Sequence, residues 1–344
     1  MKRKCIAVSL VAMAFASALQ TAFCDVNSPS STIRYATDAY PGFDREEKIL
    51  SSSKKTPRWF SWLRGPKKDN AADQFAWAEE CEKNEAWSKA LKAYDAIVRN
   101  WPASPEAPKA QQRVAELYLE KELDSEEAFN EYKYLIDFYS SQCAYDEIVF
   151  KLYEVAKLME EEGKYFVFFH FDNTVDVRRA FEAVVLRAPG ATFAPEAMMK
   201  VAKLREDELE FEKASLVYET LRSLHPYSAE AKTALYREAQ CRMKLLRAHQ
   251  YNRGRAKDVL AFLKSALATN PPDDVKADLE TWLAETTGII EDEAFAAAKF
   301  YDSRTRTKRS AITAYEKFLV EYPASSHTAE ARARLAELEK SSNQ

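Results

Sequence analysis

Cys24 is the residue whose type and position best fit a defined chemical modification, the acylation of a lipoprotein cysteine. A basic stretch at residues 2–4 precedes an apolar run at residues 5–18, which is too short to cross a bilayer. This order predicts a signal peptide over residues 1–24. Phe23 stands where a lipidation signal has a small residue, so two outcomes stay open for Cys24: lipidation, or ordinary cleavage that leaves no lipid.

The residue types that usually carry catalysis are too scattered to suggest an active site. The six glycines never cluster, so no phosphate-binding loop is predicted. The histidines at positions 170, 225, 249 and 327 lack the spacing of a metal site or a catalytic triad. We therefore predict that the chain is not an enzyme, and we expect no cofactor, no metal and no small-molecule substrate. A net charge of −4 gives no electrostatic reason to expect nucleic acid.

Two short segments are rich enough in aromatic residues to suggest binding. We name residues 58–64 the basic-aromatic segment, because two arginines enclose three aromatic residues there: Arg58, Trp59, Phe60, Trp62 and Arg64. We name residues 164–174 the aromatic insertion, where no helical period is present and β propensity is strong. Its aromatic residues are Tyr165, Phe166, Phe168, Phe169 and Phe171.

Each of these segments has a structural interpretation beside a binding one. Three interpretations stay open for the basic-aromatic segment: it covers the first helical hairpin, it docks on a partner protein, or it contacts lipid. Two stay open for the aromatic insertion: it packs against its own repeat domain, or it forms a surface for a partner.

Composition divides the rest of the chain into an arm and a helical region. Residues 25–70 keep no helical period, so we predict a flexible arm there. The rarity of glycine and the dominance of alanine, leucine, glutamate and lysine predict a nearly all-helical protein beyond it. No later stretch approaches the length of a membrane span. The cysteines at positions 81, 143 and 241 are far apart and odd in number, which favours buried thiols over disulfides.

A repeated frame organises residues 71–341. In each copy an aromatic residue stands eight positions before a proline, an alanine stands eight positions after it, and a basic residue stands eleven after it. Proline ends a helix and disfavours helical geometry in the residue before it, so each copy predicts a helix, a turn and a second helix. The four clear copies contain Tyr94 with Pro102, Phe181 with Pro189, Tyr218 with Pro226, and Tyr315 with Pro323.

The frame predicts an all-α, tetratricopeptide-like superhelical solenoid of about five or six helical hairpins. Weaker copies around Tyr132 and Leu263 keep the same spacing. We expect the aromatic residue to fill the gap between neighbouring hairpins, and we interpret the basic residue as a solvated surface position. We also predict that one helix ends before Gly163 and that separate helices cover residues 272–287 and 290–303.

Two turns of the frame resemble a narrower family. The sequences WPASPEAPKA at residues 101–110 and YPASSHTAEA at residues 322–331 are similar to turns of the BamD-like lipoproteins of outer-membrane β-barrel assembly. The resemblance implies a periplasmic scaffold held at the outer membrane by a lipid anchor or by its complex. Its partners would be the β-barrel assembly machinery and unfolded outer-membrane proteins.

Two alternatives to this family stay open. One is a tetratricopeptide scaffold associated with the Tol-Pal system or with the cell wall. The more remote one is the superhelical part of a lytic transglycosylase, which would need a lysozyme-like domain, whereas this sequence ends inside a repeat.

Overall fold

The computed structural model describes residues 65–166, 174–248, 253–304 and 308–342. Over these ranges the chain forms thirteen α-helices and no β-strand, so the predicted all-α fold class is confirmed. The chain divides into two compact units, Met1–Leu204 and Arg205–Gln344. Cys24 and the basic-aromatic segment lie outside the described residues.

In the first unit, the first six helices pack one against the next along the chain. A π-helical turn, Tyr118–Glu122, follows α3. The helices are α1 Ala71–Lys83, α2 Trp87–Asn100, α3 Ala107–Leu117, α4 Ser125–Tyr139, α5 Tyr145–Phe166, α6 Thr174–Arg187 and α7 Ala194–Asp207, the last of which contains the boundary between the units.

The second unit follows the same pattern of packed neighbours. One buried cluster joins α9, α10 and α11 around Met243, Leu263 and Leu279, and another joins α11, α12 and α13 around Phe295 and Tyr315. The helices are α8 Phe211–Leu224, α9 Ala229–Ala248, α10 Arg253–Ala268, α11 Asp273–Arg304, α12 Lys308–Glu321 and α13 Thr328–Ser342.

The frame residues occupy equivalent places in each copy. The frame aromatics Tyr94, Tyr132, Phe181, Tyr218 and Tyr315 are 0–2% exposed. The frame prolines Pro102, Pro189, Pro226 and Pro323 each stand two residues after the end of a helix, and all except the half-buried Pro189 are exposed. Burying a large aromatic side chain is among the strongest single contributions to a core.

Three turns within hairpins contain a left-handed residue that is not glycine. Glu85, Leu123 and Leu209 have φ values of 57°, 54° and 61°. Each stands nine positions before a frame tyrosine, at the end of the first helix of a hairpin. Leu123 and Leu209 are also 78% and 73% exposed, so burial does not offset the steric cost of this conformation.

Two predicted helix boundaries are wrong, and both involve glycine. Helix α5 continues through Gly163 to Phe166, so Tyr165 and Phe166 belong to a helix and not to an irregular insertion. Helix α11 runs unbroken through Gly288. Glycine costs a helix only about 1 kcal/mol relative to alanine, which the surrounding packing outweighs. The remaining aromatic residues of the insertion, at positions 168, 169 and 171, lie outside the described residues.

Candidate functional site

A cluster of a carboxylate, a tyrosine and an arginine links neighbouring hairpins at the first copy of the frame. The hydroxyl of Tyr94 donates to Oε2 of Glu82 at 3.0 Å. Nε of Arg113 donates to Oε1 of the same carboxylate at 2.9 Å. Because Glu82 lies on α1, Tyr94 on α2 and Arg113 on α3, the cluster ties three consecutive helices together.

The second unit repeats this cluster twice. The hydroxyl of Tyr218 donates to Oε1 of Glu206 at 2.7 Å, and Arg237 pairs with the other oxygen of that carboxylate at 3.9 Å. In the last copy Arg334 binds both oxygens of Asp302, at 2.7 and 3.0 Å, and Tyr315 donates to Asp302 at 3.4 Å. The same frame positions therefore carry the same contacts.

Two lysines at the basic position are also ion-paired with the preceding hairpin: Lys200 in the Phe181 copy, and Lys151, which stands nineteen residues after Tyr132 as Arg113 does after Tyr94. Nζ of Lys151 lies 3.3 Å from Glu116, and Nζ of Lys200 lies 2.7 Å from Glu160. The basic frame residue is therefore a surface position, as predicted, and Arg237 and Arg334 are exposed. The prediction missed that a carboxylate of the preceding hairpin lies within reach of this residue in every clear copy. A sequence signal for the partner exists, since Glu82, Glu206 and Asp302 stand twelve or thirteen positions before a frame tyrosine.

The ionisable groups of the first and last clusters keep one charge state near neutral pH. The hydrogen bond from Arg113 lowers the pKa of Glu82, and the hydrogen bond from Arg334 lowers the pKa of Asp302. Burial raises the pKa of Tyr315 to about 12 and moves the pKa of Tyr94 in the same direction. In these two clusters the carboxylate stays charged and the tyrosine stays neutral, so both clusters serve as fixed links rather than as acid–base groups.

A groove in the first unit lies directly over the first of these clusters. Its cavity volume is about 600 Å³. The ring of Phe75 meets the ring of Tyr94 edge-on, with centroids 5.3 Å apart. The first groove is lined by Phe75, Glu79, Glu82, Lys83, Trp87, Tyr94, Lys109, Gln112, Arg113 and Glu116.

A second groove shares one lining residue with the first and lies over Tyr132. Its cavity volume is about 360 Å³. Glu116 lines both grooves and is bound by Arg113 at 2.7 Å and by Lys151 at 3.3 Å. The second groove is lined by Glu116, Leu119, Glu120, Tyr132, Lys151, Glu154, Val155 and Leu158.

The side chains that line the two grooves are of the types found at protein-binding surfaces. They combine aromatic and aliphatic surface with carboxylates and amines, which suits an extended peptide with both charged and apolar side chains. Among the described residues, no group of three or more His, Cys, Asp or Glu side chains could hold a metal ion. None of the helices in the described ranges is long and apolar enough to cross a bilayer.

The frame residues lie at the contacts between helices. Most of the other residues predicted to form binding sites lie outside the described ranges, so the structure does not test them. Tyr94, with the neighbouring Arg113, lies in the first groove, which sequence reasoning did not locate. The basic-aromatic segment, Cys24 and most of the aromatic insertion lie outside the described ranges. Cys81 and Cys241 are buried free thiols, as the spacing of the cysteines predicts.

Comparison with known proteins gives only distant likenesses. No protein-family model matches the sequence, and a search of curated proteins finds no match. The chain is similar to a tetratricopeptide repeat protein from Parabacteroides merdae, with 13% identity over 78% of this chain and 98% of that one and a TM-score of 0.27. It is also similar to the C-terminal part of a TPR repeat-containing protein from Cytophaga hutchinsonii, with 14% identity over 75% of this chain and 98% of that one and a TM-score of 0.24. At TM-scores this low, neither likeness bears on function.

Proposed function

We propose that this chain is a protein-interaction scaffold that binds an extended segment of a partner in the two grooves of its first unit. The observation that carries the proposal is that the two grooves share the lining residue Glu116. Helical repeat proteins act through extended surfaces that neighbouring repeats build together.

The ion pairs beneath the grooves support this function. Arg113 is held by Glu82 and Glu116, and Lys151 is held by Glu116. Because these side chains are fixed before a partner arrives, little conformational entropy is lost on binding. The rings of Phe75 and Trp87 supply the type of apolar anchor that dominates binding energy at protein interfaces.

The cellular setting that we propose is the periplasmic face of the outer membrane. The signal peptide predicted over residues 1–24 supports export, and the turns at residues 101–110 and 322–331 support a role in outer-membrane β-barrel assembly. The proposed partners are the β-barrel assembly machinery and unfolded outer-membrane proteins. Cys24 is the proposed point of lipid attachment.

A pair of charge reversals on α1 tests the groove. Glu79 lines the first groove, whereas the adjacent and equally exposed Glu80 does not. We expect Glu79→Lys to lower capture of the β-barrel insertase from solubilised membranes by about tenfold, which corresponds to about 1.4 kcal/mol. Quantitative mass spectrometry of the captured proteins measures the effect.

Glu80→Lys is the matched control, because it makes the same change of charge on the same helix outside the groove. It should capture the insertase as well as the parent does. Equal capture by Glu79→Lys and the parent would contradict binding in the first groove. Recovery of Tol-Pal or cell-wall proteins in place of the insertase would instead support the alternative role, a scaffold associated with the Tol-Pal system or the cell wall.

A further inference from the structure

The frame tyrosine of the second hairpin differs from its equivalents in other copies. Tyr132 is 2% exposed, yet no residue in the described ranges accepts a hydrogen bond from its hydroxyl. Buried hydroxyls normally have a partner, so this one is available to a group from outside the chain. In the other copies the tyrosine hydroxyl donates to a carboxylate: Tyr94 to Glu82, Tyr218 to Glu206 and Tyr315 to Asp302.

The carboxylate that stands at the equivalent position in this copy has a different partner. Glu120 lies twelve residues before Tyr132, as Glu82 lies twelve before Tyr94. Its two oxygens accept from Nη1 and Nη2 of Arg113, at 3.5 and 3.4 Å. The hydroxyl of Tyr132 is therefore left without the acceptor that the frame supplies elsewhere.

A one-residue insertion marks the same hairpin. Tyr132 follows Arg113 by nineteen positions, whereas Tyr218 follows Lys200 by eighteen. The π-helical turn Tyr118–Glu122 accommodates the extra residue, because its hydrogen bonds span one residue more than those of an α-helix. Such turns are frequent at functional sites. Here the turn contains Glu120 and coincides with the release of the tyrosine hydroxyl.

The charged side chains that line the second groove are matched within the protein. Each lining carboxylate has a cation within reach: Glu116 pairs with Lys151 at 3.3 Å, Glu120 with Arg113 at 3.4 Å and Glu154 with Lys157 at 3.5 Å. Within the described part of the chain, the hydroxyl of Tyr132 is thus the polar group of this lining that has no partner. A charged partner side chain would lose its hydration in the groove without gaining a counter-ion.

The remaining lining of the second groove is aliphatic and consists of Leu119, Val155 and Leu158. Burial raises the pKa of Tyr132, so its hydroxyl keeps the proton at neutral pH and acts as a hydrogen-bond donor. An extended peptide matches both features, because its main chain offers a carbonyl acceptor beside each side chain.

We propose that the second groove takes an uncharged aliphatic residue of an extended partner segment, with the hydroxyl of Tyr132 donating to a main-chain carbonyl of that segment. The inference rests on the proposed function and deepens it, because it names the type of partner residue that the second groove selects. It also fixes the point at which the partner's main chain is held. The first groove has no equivalent, since the hydroxyl of Tyr94 is bound to Glu82.

Selection from a phage-displayed library of random twelve-residue peptides on the full chain tests the type of partner residue. We expect the enriched peptides to share leucine, isoleucine, valine or methionine at one position. Enrichment of a charged residue at the shared position, or the absence of any enriched peptide, would overturn the proposal.

Two tyrosine-to-phenylalanine substitutions test the hydrogen bond. Tyr132→Phe should weaken binding of the fluorescent consensus peptide about fivefold, because one neutral hydrogen bond to the peptide is lost. It should not lower the urea midpoint, because no hydrogen bond within the protein is lost. Fluorescence anisotropy and urea unfolding measure the two effects.

Tyr218→Phe is the matched control, because its hydroxyl is bound within the second unit. It should lower the urea midpoint through the lost hydrogen bond to Glu206 and keep the affinity for the peptide. Unchanged affinity in Tyr132→Phe would overturn the proposal. So would a fall of its urea midpoint equal to that of Tyr218→Phe, since the hydroxyl would then have a partner inside the protein.

A thioamide scan of the consensus peptide locates the main-chain contact. The sulfur of a thioamide accepts a hydrogen bond more weakly than a carbonyl oxygen does. At one position the replacement should lower the affinity for the parent about fivefold and leave the affinity for Tyr132→Phe unchanged, because the two changes remove the same hydrogen bond. A scan in which no position depends on Tyr132 would contradict the main-chain contact.

These experiments separate the inference from the proposed function. If the grooves bind a partner but Tyr132 does not hold its main chain, Glu79→Lys still lowers insertase capture while Tyr132→Phe keeps its affinity for the peptide. If the second groove acts as inferred but the proposed partner is wrong, Tyr132→Phe weakens peptide binding while insertase capture does not respond to Glu79→Lys.

Discussion

Arg113 on α3 binds the carboxylate of Glu82 on α1, with its Nε 2.9 Å from Oε1, although the two residues are 31 positions apart in the sequence. Tyr94, on the helix between them, donates to the same carboxylate. The contact recurs at Tyr218 and Tyr315, so the repeat frame is a pattern of polar links as well as a pattern of packing.

Tyr218 both packs in the core and forms a polar link to Glu206, and two substitutions separate these contributions to stability. Its ring is 1% exposed, so Tyr218→Ala should lower the free energy of unfolding by about 3–5 kcal/mol through the cavity that it leaves. Tyr218→Phe keeps the ring and removes only the hydrogen bond to Glu206, so it should cost about 1 kcal/mol. Urea unfolding followed by circular dichroism measures both changes. Tyr227→Ala, at a fully exposed tyrosine, is the control and should change stability little.

Replacement of Leu209 by glycine is expected to stabilise the protein. Its φ of 61° is strained for leucine, and its side chain is largely exposed, so the substitution removes strain at little loss of packing. After the entropic cost of glycine, we expect a gain of about 0.5–1 kcal/mol in the free energy of unfolding. Val320→Gly, at an exposed helical residue, should instead lower it by a similar amount. A loss of stability in Leu209→Gly would mean that the leucine has a contact that outweighs its strain.

The pairing of Asp302 with Arg334 predicts a dependence of stability on pH. The hydrogen bond from Arg334 lowers the folded-state pKa of Asp302 below its ordinary value of 3.8. A carboxyl group with a lowered pKa stabilises the fold above its unfolded pKa, and this contribution is lost as the pH falls through the folded pKa. Urea midpoints measured from neutral pH down to acidic pH should therefore fall more for the parent than for Asp302→Asn. Parallel curves for the two chains would show that the pair contributes nothing.

The proposed acylation of Cys24 can be tested by cell fractionation. If the cysteine is acylated as proposed, Cys24→Ala should move the chain from the membrane fraction to the soluble periplasmic fraction, because the hydrocarbon anchor is lost. Immunoblots of fractionated cells measure the distribution. A substitution of the nearby Ser28, Ser28→Ala, is the control and should leave the distribution unchanged. Identical partitioning of Cys24→Ala and the parent would mean cleavage without lipid.

Sequence reasoning locates the helices better where proline marks their ends than where glycine does. Pro102 and Pro226 each follow a helix by two residues, as predicted, because proline cannot donate the hydrogen bond that a helix interior needs. Gly163 and Gly288 remain within helices, because the cost of a helical glycine is small beside that of breaking a packed helix.

The grooves and their ion pairs were harder to anticipate for a different reason. The link between Glu82 and Arg113 depends on which helices become neighbours, and neither residue identifies the other in a linear sequence. Only the comparison of several copies reveals that a carboxylate recurs at a constant distance before the tyrosine. The first groove lies over this link and therefore emerges only with the packing of α1, α2 and α3.

Helix α3 carries one partner of each of two ion pairs: Arg113 binds Glu82 of the preceding hairpin, and Glu116 binds Lys151 of the following one. Helix α5 does the same, with Lys151 reaching back and Glu160 reaching forward to Lys200. A gene duplication that copied one such hairpin would therefore supply both the basic and the acidic partner of the ion pair and leave no charge unpaired. Whole hairpins could therefore be added or lost without any new ion pair between hairpins having to evolve.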